Sequence, residues 1–145
     1  GDYRDSAALF SCAVYDIVFA NPPYRPVGRG ALSMGARAAA RHELTATLAD
    51  VIRAAAFALR RGGRLAMVHL PERLGEIIPA LHAAGLAMKR LRMVQPRVDR
   101  PPNLLLMEAV RGASPAGLRH EPALIVRDAE GHYTDEIRAI YGQEM

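Results

Sequence analysis

The first half of the chain alternates between apolar runs and stretches whose apolar residues recur with helical spacing. Residues 15–20 form a nearly continuous apolar run, which is typical of a strand covered on both faces of a parallel sheet. Prolines cannot donate to a strand ladder, so this strand is expected to end at Asn21-Pro22-Pro23. Residues 43–60 have a helical apolar stripe, and Gly62-Gly63 are expected to stop that helix.

A second strand and a second helix follow in the same order. Residues 64–70 predict a strand, and Pro71 suits the first position of a helix over 72–84 that Gly85 ends. This helix is expected to turn four apolar side chains toward the core: Leu74, Ile77, Ile78 and Leu81.

The second half of the chain predicts further strands. Residues 86–94 and 103–110 are joined by a Pro-rich turn at 95–102, and a connection this short without a helix requires antiparallel neighbours. A linker at 112–117 leads to a small tail over 118–145. In this tail, 123–127 predicts a strand and Thr134 is expected to cap a helix over 135–141.

This order of elements predicts an α/β fold, with parallel strands plus a final antiparallel strand. Strands that alternate with helices pair in parallel through right-handed crossovers. Ligands of open α/β sheets bind outside the carboxyl ends of the strands. We therefore expect residues 21–24 and the turn 95–102 to lie on the same rim.

Length and composition limit the class of protein. The chain has 145 residues, of which 50% are hydrophobic and 23% charged, which suits one domain with a core. The sequence has no run of eighteen apolar residues, so no membrane-spanning helix is expected, and the first residues do not resemble a signal peptide. Cys12 has no second cysteine to pair with, and no metal-ligand spacing occurs. A cytoplasmic location is therefore expected, without a metal.

The net charge of +4 is carried almost entirely by arginine, since Lys89 is the one lysine. The segment 25–42 has no regular pattern and, up to residue 42, no acidic residue. Its arginines, with Arg97 and Arg100, are candidates for phosphate contacts, and Lys89, Arg90 and Arg92 are expected on or near the same rim. An ordinary solvated surface is the alternative interpretation. The loop candidates are Arg25, Arg29, Arg37 and Arg41.

Asn21-Pro22-Pro23-Tyr24, directly after an apolar strand, is the motif with the most specific chemistry. The lone pair of a planar amine is delocalised into the ring or amide. A catalyst must therefore orient the nitrogen by accepting hydrogen bonds from its two N–H groups. The Asn21 amide oxygen and the Pro22 carbonyl are suitable acceptors, and the prolines restrict the backbone that presents them. Tyr24 is suited to stack on a flat target group. Asn-Pro and Pro-Pro also occur as simple turn residues.

Residues 16–24 resemble the fourth strand and catalytic motif of class I S-adenosylmethionine-dependent methyltransferases that modify amino groups. Further segments resemble the subgroup that methylates N6 of the adenine beside the anticodon of a valine tRNA. They are Arg41-His42-Glu43, Gly62-Gly63-Arg64, Pro71-Glu72-Arg73-Leu74, Gly85-Leu86, Lys89-Arg90, 103–108 and 131–136.

The resemblance implies a Rossmann-like sheet and S-adenosylmethionine-dependent methyl transfer to an adenine amino group in tRNA. It implies catalytic roles for Asn21, Pro22 and Tyr24, and cofactor contacts for Asp2, Tyr3 and Asn21. The family's first strands, with their Gly-rich turn, have no counterpart in 1–145. The chain therefore resembles the carboxyl-terminal catalytic portion of the domain, and alone it is expected to be inactive.

Two other functions remain open at this point. A protein-glutamine methyltransferase shares the Asn-Pro-Pro-Tyr motif, although it does not require a basic rim. A non-catalytic RNA-binding fragment is the third hypothesis. In each case the apolar strand 16–20 is expected to pair with a second copy or with the missing amino-terminal part. His69 is expected to be a core or rim histidine, and His42 a capping or solvent-exposed residue rather than a general base.

Overall fold

A computed structural model describes residues 13–22 and 47–142, which form a five-stranded mixed sheet with three α-helices. The strands are β1 (Tyr15–Ala20), β2 (Leu59–His69), β3 (Leu86–Arg97), β4 (Leu104–Arg111) and β5 (Arg119–Arg127). The helices are α1 (Leu48–Ala58), α2 (Leu74–Ala83) and α3 (Asp135–Tyr141), with a 3₁₀ turn at Pro71–Arg73.

The strand order is β1-β2-β4-β3-β5. β1 pairs with β2 in parallel, and β4 lies between β2 and β3, antiparallel to both. The predicted mixture of parallel strands with an antiparallel strand is confirmed, as is the antiparallel pairing of 86–94 with 103–110. β5 pairs with β3 in parallel, so the strand of the predicted tail extends the same sheet.

The main core lies between one face of the sheet and the helices α1 and α2. Ile52 of α1 and Ile77 and Leu81 of α2 are almost fully buried there against Leu65 and Leu105 of the sheet. Ile78, which was expected to face the core, is 46% exposed. The neighbouring Ile77 already points inward, and the next position of a helix lies about 100° away, so the prediction for Ile78 is wrong.

The opposite face carries a smaller cluster beneath α3, made of Val94, Leu124 and Ile137. Alternate residues of a strand point to opposite faces, so β4 contributes Leu105 to the main core and Leu104 to this cluster. Thr134 caps α3 through its side-chain oxygen, as predicted.

The connection from α1 to β2 differs from the prediction. Of the helix predicted over 43–60, the residues before 47 lie outside the described part. Thr47 and Asp50 form a capping box, and α1 ends at Ala58 because Leu59 is already extended. β2 therefore begins five residues earlier than predicted, and Gly62-Gly63 lie within it rather than after a helix. None of the described helices is long and apolar enough to cross a membrane.

Candidate functional site

The end of β1 places Asn21 and Pro22 at the carboxyl-end rim of the sheet. Asn21 is exposed, whereas Pro22 is buried. A cavity of about 290 Å³ lies beside them, bounded by β1 and by one side of α1. The helix contributes Val51, Ala54, Ala55 and Ala58, and these small side chains leave the space open. The alanine-rich stripe of α1 was visible in the sequence, but its place beside Asn21 was not.

The position of β1 is fixed by its contacts with α1 and β2. Ala20 pairs with Met67 across the parallel ladder. At the other end of the strand, the Ala13 and Val14 N–H groups donate to the Phe57 and Ala58 carbonyls, at 2.9 and 3.1 Å. These bonds satisfy carbonyls at the end of α1 and tie the helix to the strand that ends in Asn21.

The end of β2 contributes His69 and the corner Pro71–Arg73 to the same rim. His69 is fully buried, as expected of a core histidine, and its Nδ1 accepts a hydrogen bond from the Leu70 N–H at 2.8 Å. Burial lowers the pKa of the imidazole and Arg73 acts in the same direction, against the opposite effect of Glu76 and Glu72. Arg73 forms an ion pair with Glu76 across the first turn of α2.

Arg97 and Arg100 lie at the end of β3, on the rim where the sequence predicted them. Arg97 donates to the Ala129 carbonyl at 2.7 Å and forms an ion pair with Asp99 at 3.4 Å. Arg100 is exposed in the turn after β3, where its N–H donates to the Arg97 carbonyl at 3.1 Å. Part of the charge of Arg97 is therefore balanced within the protein, while the Arg100 side chain faces solvent.

Lys89 and Arg90 are not on this rim. They lie in the first half of β3, and Arg97 is seven positions further along the strand than Arg90. Arg92 lies in the middle of β3 and forms an ion pair with Glu136 of α3. The expectation that these three residues lie on or near the rim is wrong, because β3 has 12 residues and extends from one rim of the sheet to the other.

The other predicted site residues lie outside the described part of the chain. They are Asp2, Tyr3, Tyr24, Arg25, Arg29, Arg37 and Arg41, and His42 is among the undescribed residues too. Within 13–22 and 47–142, no group of three or more His, Cys, Asp or Glu side chains could hold a metal ion.

Comparison with known proteins gives relatives in sequence and in fold. The chain is 33% identical over 138 residues to a tRNA1(Val) (adenine(37)-N6)-methyltransferase of Tolumonas auensis. The aligned residues cover 94% of this chain and 56% of the relative. The chain thus spans about half the length of this curated relative. No protein-family model matches the chain.

Two solved structures share the fold. A predicted O-methyltransferase from Agrobacterium tumefaciens superposes with a TM-score of 0.67 at 24% identity, over 94% of this chain and 55% of the other. The complex of M1.HpyAVI with SAM superposes with a TM-score of 0.50 at 13% identity, over 88% of this chain and 62% of the other. The chain is therefore similar in sequence to about half of a tRNA adenine-N6 methyltransferase, and its mixed sheet has the fold of part of a methyltransferase.

Proposed function

We propose that the full-length protein transfers a methyl group from S-adenosylmethionine to the exocyclic amino group of an adenine in tRNA. The observation that carries this proposal is the position of Asn21-Pro22 at the carboxyl end of a parallel strand, beside a cavity. The activity named for the Tolumonas relative supports the choice of tRNA adenine as the substrate. S-adenosylmethionine in the complex with M1.HpyAVI supports the cofactor.

The proposed role of Asn21 and Pro22 is to orient the amine. The Asn21 amide oxygen and the Pro22 carbonyl accept one N–H each, which directs the nitrogen lone pair out of the base plane. Pro22 is buried and sterically restricted, so the backbone that presents these acceptors is restricted before the substrate arrives. Tyr24 is proposed to stack on the adenine ring. Methyl transfer would break the C–S bond of the donor, which would leave as the neutral thioether, and the methylated nitrogen would then lose one proton to water.

The described residues fit the methyl-accepting end of such a site. Apolar side chains line the cavity beside Asn21, and no carboxylate that could hold ribose hydroxyls lies among its described lining residues. When bound, S-adenosylmethionine supplies an electrophilic methyl group on a sulfonium sulfur. Asp2 and Tyr3 remain the proposed contacts to this cofactor, with Asn21 at the boundary between cofactor and base.

RNA recognition at this rim is proposed to involve Arg100 and Arg97, together with the loop arginines Arg25, Arg29, Arg37 and Arg41. The exposed Arg100 side chain and the partly exposed Arg97 support this role. The outer edge of β1 is proposed to pair with another strand, because β1 pairs with β2 alone among the described strands. Ile17 and Phe19 on one face of β1 are also 53% and 80% exposed.

The test of the proposed function is Asn21→Ala in the full-length protein, assayed by transfer of a labelled methyl group to tRNA. Loss of one preorganised acceptor should lower kcat by roughly 100-fold with little change in cofactor affinity. Asn103→Ala is the matched control, because Asn103 is also exposed at the rim end of the sheet, and its backbone N–H, which the substitution retains, donates to the Val94 carbonyl at 3.0 Å.

Either of two results would contradict the proposal. Equal kcat for Asn21→Ala and the parent protein would remove Asn21 from the site. Methylation of a glutamine-containing peptide with no methylation of tRNA would favour the protein-glutamine hypothesis.

A further inference from the structure

The positive charge of the described chain is concentrated at the amino ends of the parallel strands, away from Asn21. We call this group the amino-end patch. It consists of Arg60, Arg61, Arg64, Lys89, Arg90, Arg111 and Arg119. Three carboxylates accompany these seven basic side chains, whereas the other described residues comprise seven basic and eight acidic side chains. The patch end therefore has a net charge of +4 and the remainder −1.

The three carboxylates balance only part of the patch. Asp16 pairs with Arg60, and Glu108 lies 3.5 Å from both Arg64 and Arg90. Glu121 lies 3.5 Å from Arg90 and 3.1 Å from Arg119. Of the seven basic side chains of the patch, three form no ion pair with a carboxylate of the described residues: Arg61, Lys89 and Arg111.

Two of these three cations are held in place by neutral groups. Lys89 Nζ donates to the Ser114 carbonyl at 2.8 Å, and Arg111 Nη1 donates to the Leu59 carbonyl. Backbone carbonyls orient a cation but do not cancel its charge. The fixed charges therefore remain available to an anionic partner.

Arg61 is the exposed member of the three. It lies where the β1–β2 register jumps, since Tyr15 pairs with Leu59 and Ile17 pairs with Arg64. The stem of Arg61 passes over Gly112, where an added Cβ would be 3.2 Å from Arg61 Cγ. This contact places the Arg61 side chain beside Gly112, directly after the end of β4.

We propose that the amino-end patch binds phosphates of the RNA substrate at a distance from the target adenine. This proposal rests on the proposed function. Arginine suits phosphate because its planar fork donates two parallel hydrogen bonds. The unbalanced cations lie on β-strands, near the amino-end rim of the sheet, whereas a membrane surface is usually bound by an amphipathic helix. An RNA backbone fits this arrangement better than a lipid surface.

The spacing suits one RNA molecule in contact with both ends of the sheet. Ala20 pairs with Met67, so Asn21 is level with Val68, four residues beyond Arg64. At about 3.3 Å per residue, the patch begins roughly 13 Å from the motif along the strands. A base-paired RNA arm extends over such a distance, and phosphate contacts there position the RNA without reading its bases.

The test uses Arg61→Gln and Arg61→Glu in the full-length protein, with Arg138→Gln and Arg138→Glu as matched controls. Arg138 is exposed on α3, outside the patch. Binding of a whole tRNA transcript is measured from 50 to 200 mM KCl, with methyl transfer followed in parallel. For Arg61→Gln, the slope of log K against log[KCl] should decrease by about one, and KM for tRNA should rise with kcat unchanged. The charge reversal should have the larger effect.

The outcomes separate this proposal from the proposed function. Slopes for the Arg61 variants equal to the parent's, in a protein that methylates tRNA, would overturn the patch and leave the activity intact. A smaller slope for the Arg61 variants in a protein that does not methylate tRNA would support an RNA-binding patch and overturn the activity. If the variants lose binding to vesicles containing phosphatidylserine but bind tRNA normally, the patch is a membrane contact and our proposal is wrong.

Discussion

His69 is a buried residue at the rim of the sheet, and its protonation affects the stability of the fold. Its Nδ1 accepts the Leu70 N–H, so this nitrogen carries no proton in the folded state. Protonation would turn the acceptor into a donor inside a buried site. Burial and Arg73 accordingly lower the pKa of His69 below 6.5.

This lowered pKa predicts a loss of stability at mildly acidic pH. Below about pH 6.5 the unfolded chain binds a proton at His69 that the folded chain rejects, so the free energy of unfolding falls as the pH decreases toward the folded-state pKa. Urea unfolding at pH 7.5 and 5.5 measures the effect. His69→Gln should lose less stability between the two values than the parent.

His82→Gln provides the control for this experiment, because His82 is exposed on α2. Its pH dependence should match the parent's, since both retain His69. An unchanged pH dependence in His69→Gln would mean that other groups cause the acid sensitivity.

At the scale of the elements, most of the order and pairing of the sheet could be predicted from the sequence. The apolar run 15–20, Pro71, Gly85 and the short connection 95–102 each act locally, and the structure has a boundary or turn near each of them. The parallel pairing of β5 with β3 could not be predicted, because it depends on contacts between residues about thirty positions apart, such as Arg90 and Arg119.

The candidate site was predictable to a smaller extent. Asn21-Pro22 could be placed on the rim because a strand precedes it directly. The alanines of α1 line the cavity because of how this helix packs on the sheet, and the position of Lys89 depends on the length of β3. A local sequence pattern contains neither piece of information. The expected position of Lys89 on the rim was wrong for the same reason, since the long strand β3 places Lys89 and Arg97 toward opposite ends of the sheet.

The irregular start of β2 gives a prediction at this scale. A Cβ on Gly63 would be 2.8 Å from the Arg60 carbonyl oxygen and 3.0 Å from that of Tyr15. Both are backbone atoms that cannot easily move, so Gly63→Ala should lower the free energy of unfolding by about 1–3 kcal/mol. Gly75→Ala is the matched control.

Gly75 lies in α2 with no atom within 4 Å of an added Cβ. Its substitution should leave stability unchanged or raise it by up to about 1 kcal/mol, since alanine favours a helix. Urea unfolding of both variants measures the difference. Equal stability of Gly63→Ala and the parent would show that the backbone at residues 60–63 can shift to admit a methyl group.

At the scale of the whole molecule, the described part of the sheet is unequally protected at its two sides. β5 lies at one side, where α3 packs beside it over Leu124. β1 lies at the other side, paired among the described strands with β2 alone. Ile17 and Phe19 project from it on the face opposite α1, where an exposed apolar surface of this kind favours association.

We therefore expect the 145-residue chain to self-associate through β1. Sedimentation equilibrium should give a mass above 15.8 kDa that falls with dilution. Phe19→Lys should weaken the association, because a lysine at a strand edge opposes pairing with another chain, and Phe19 is 80% exposed so the fold loses little. Ile140→Lys is the control, an exposed apolar residue on α3 that is distant from β1 along the sheet order. A parent chain that sediments as a monomer at every concentration, or a Phe19→Lys variant that associates as the parent does, would exclude β1 as the contact.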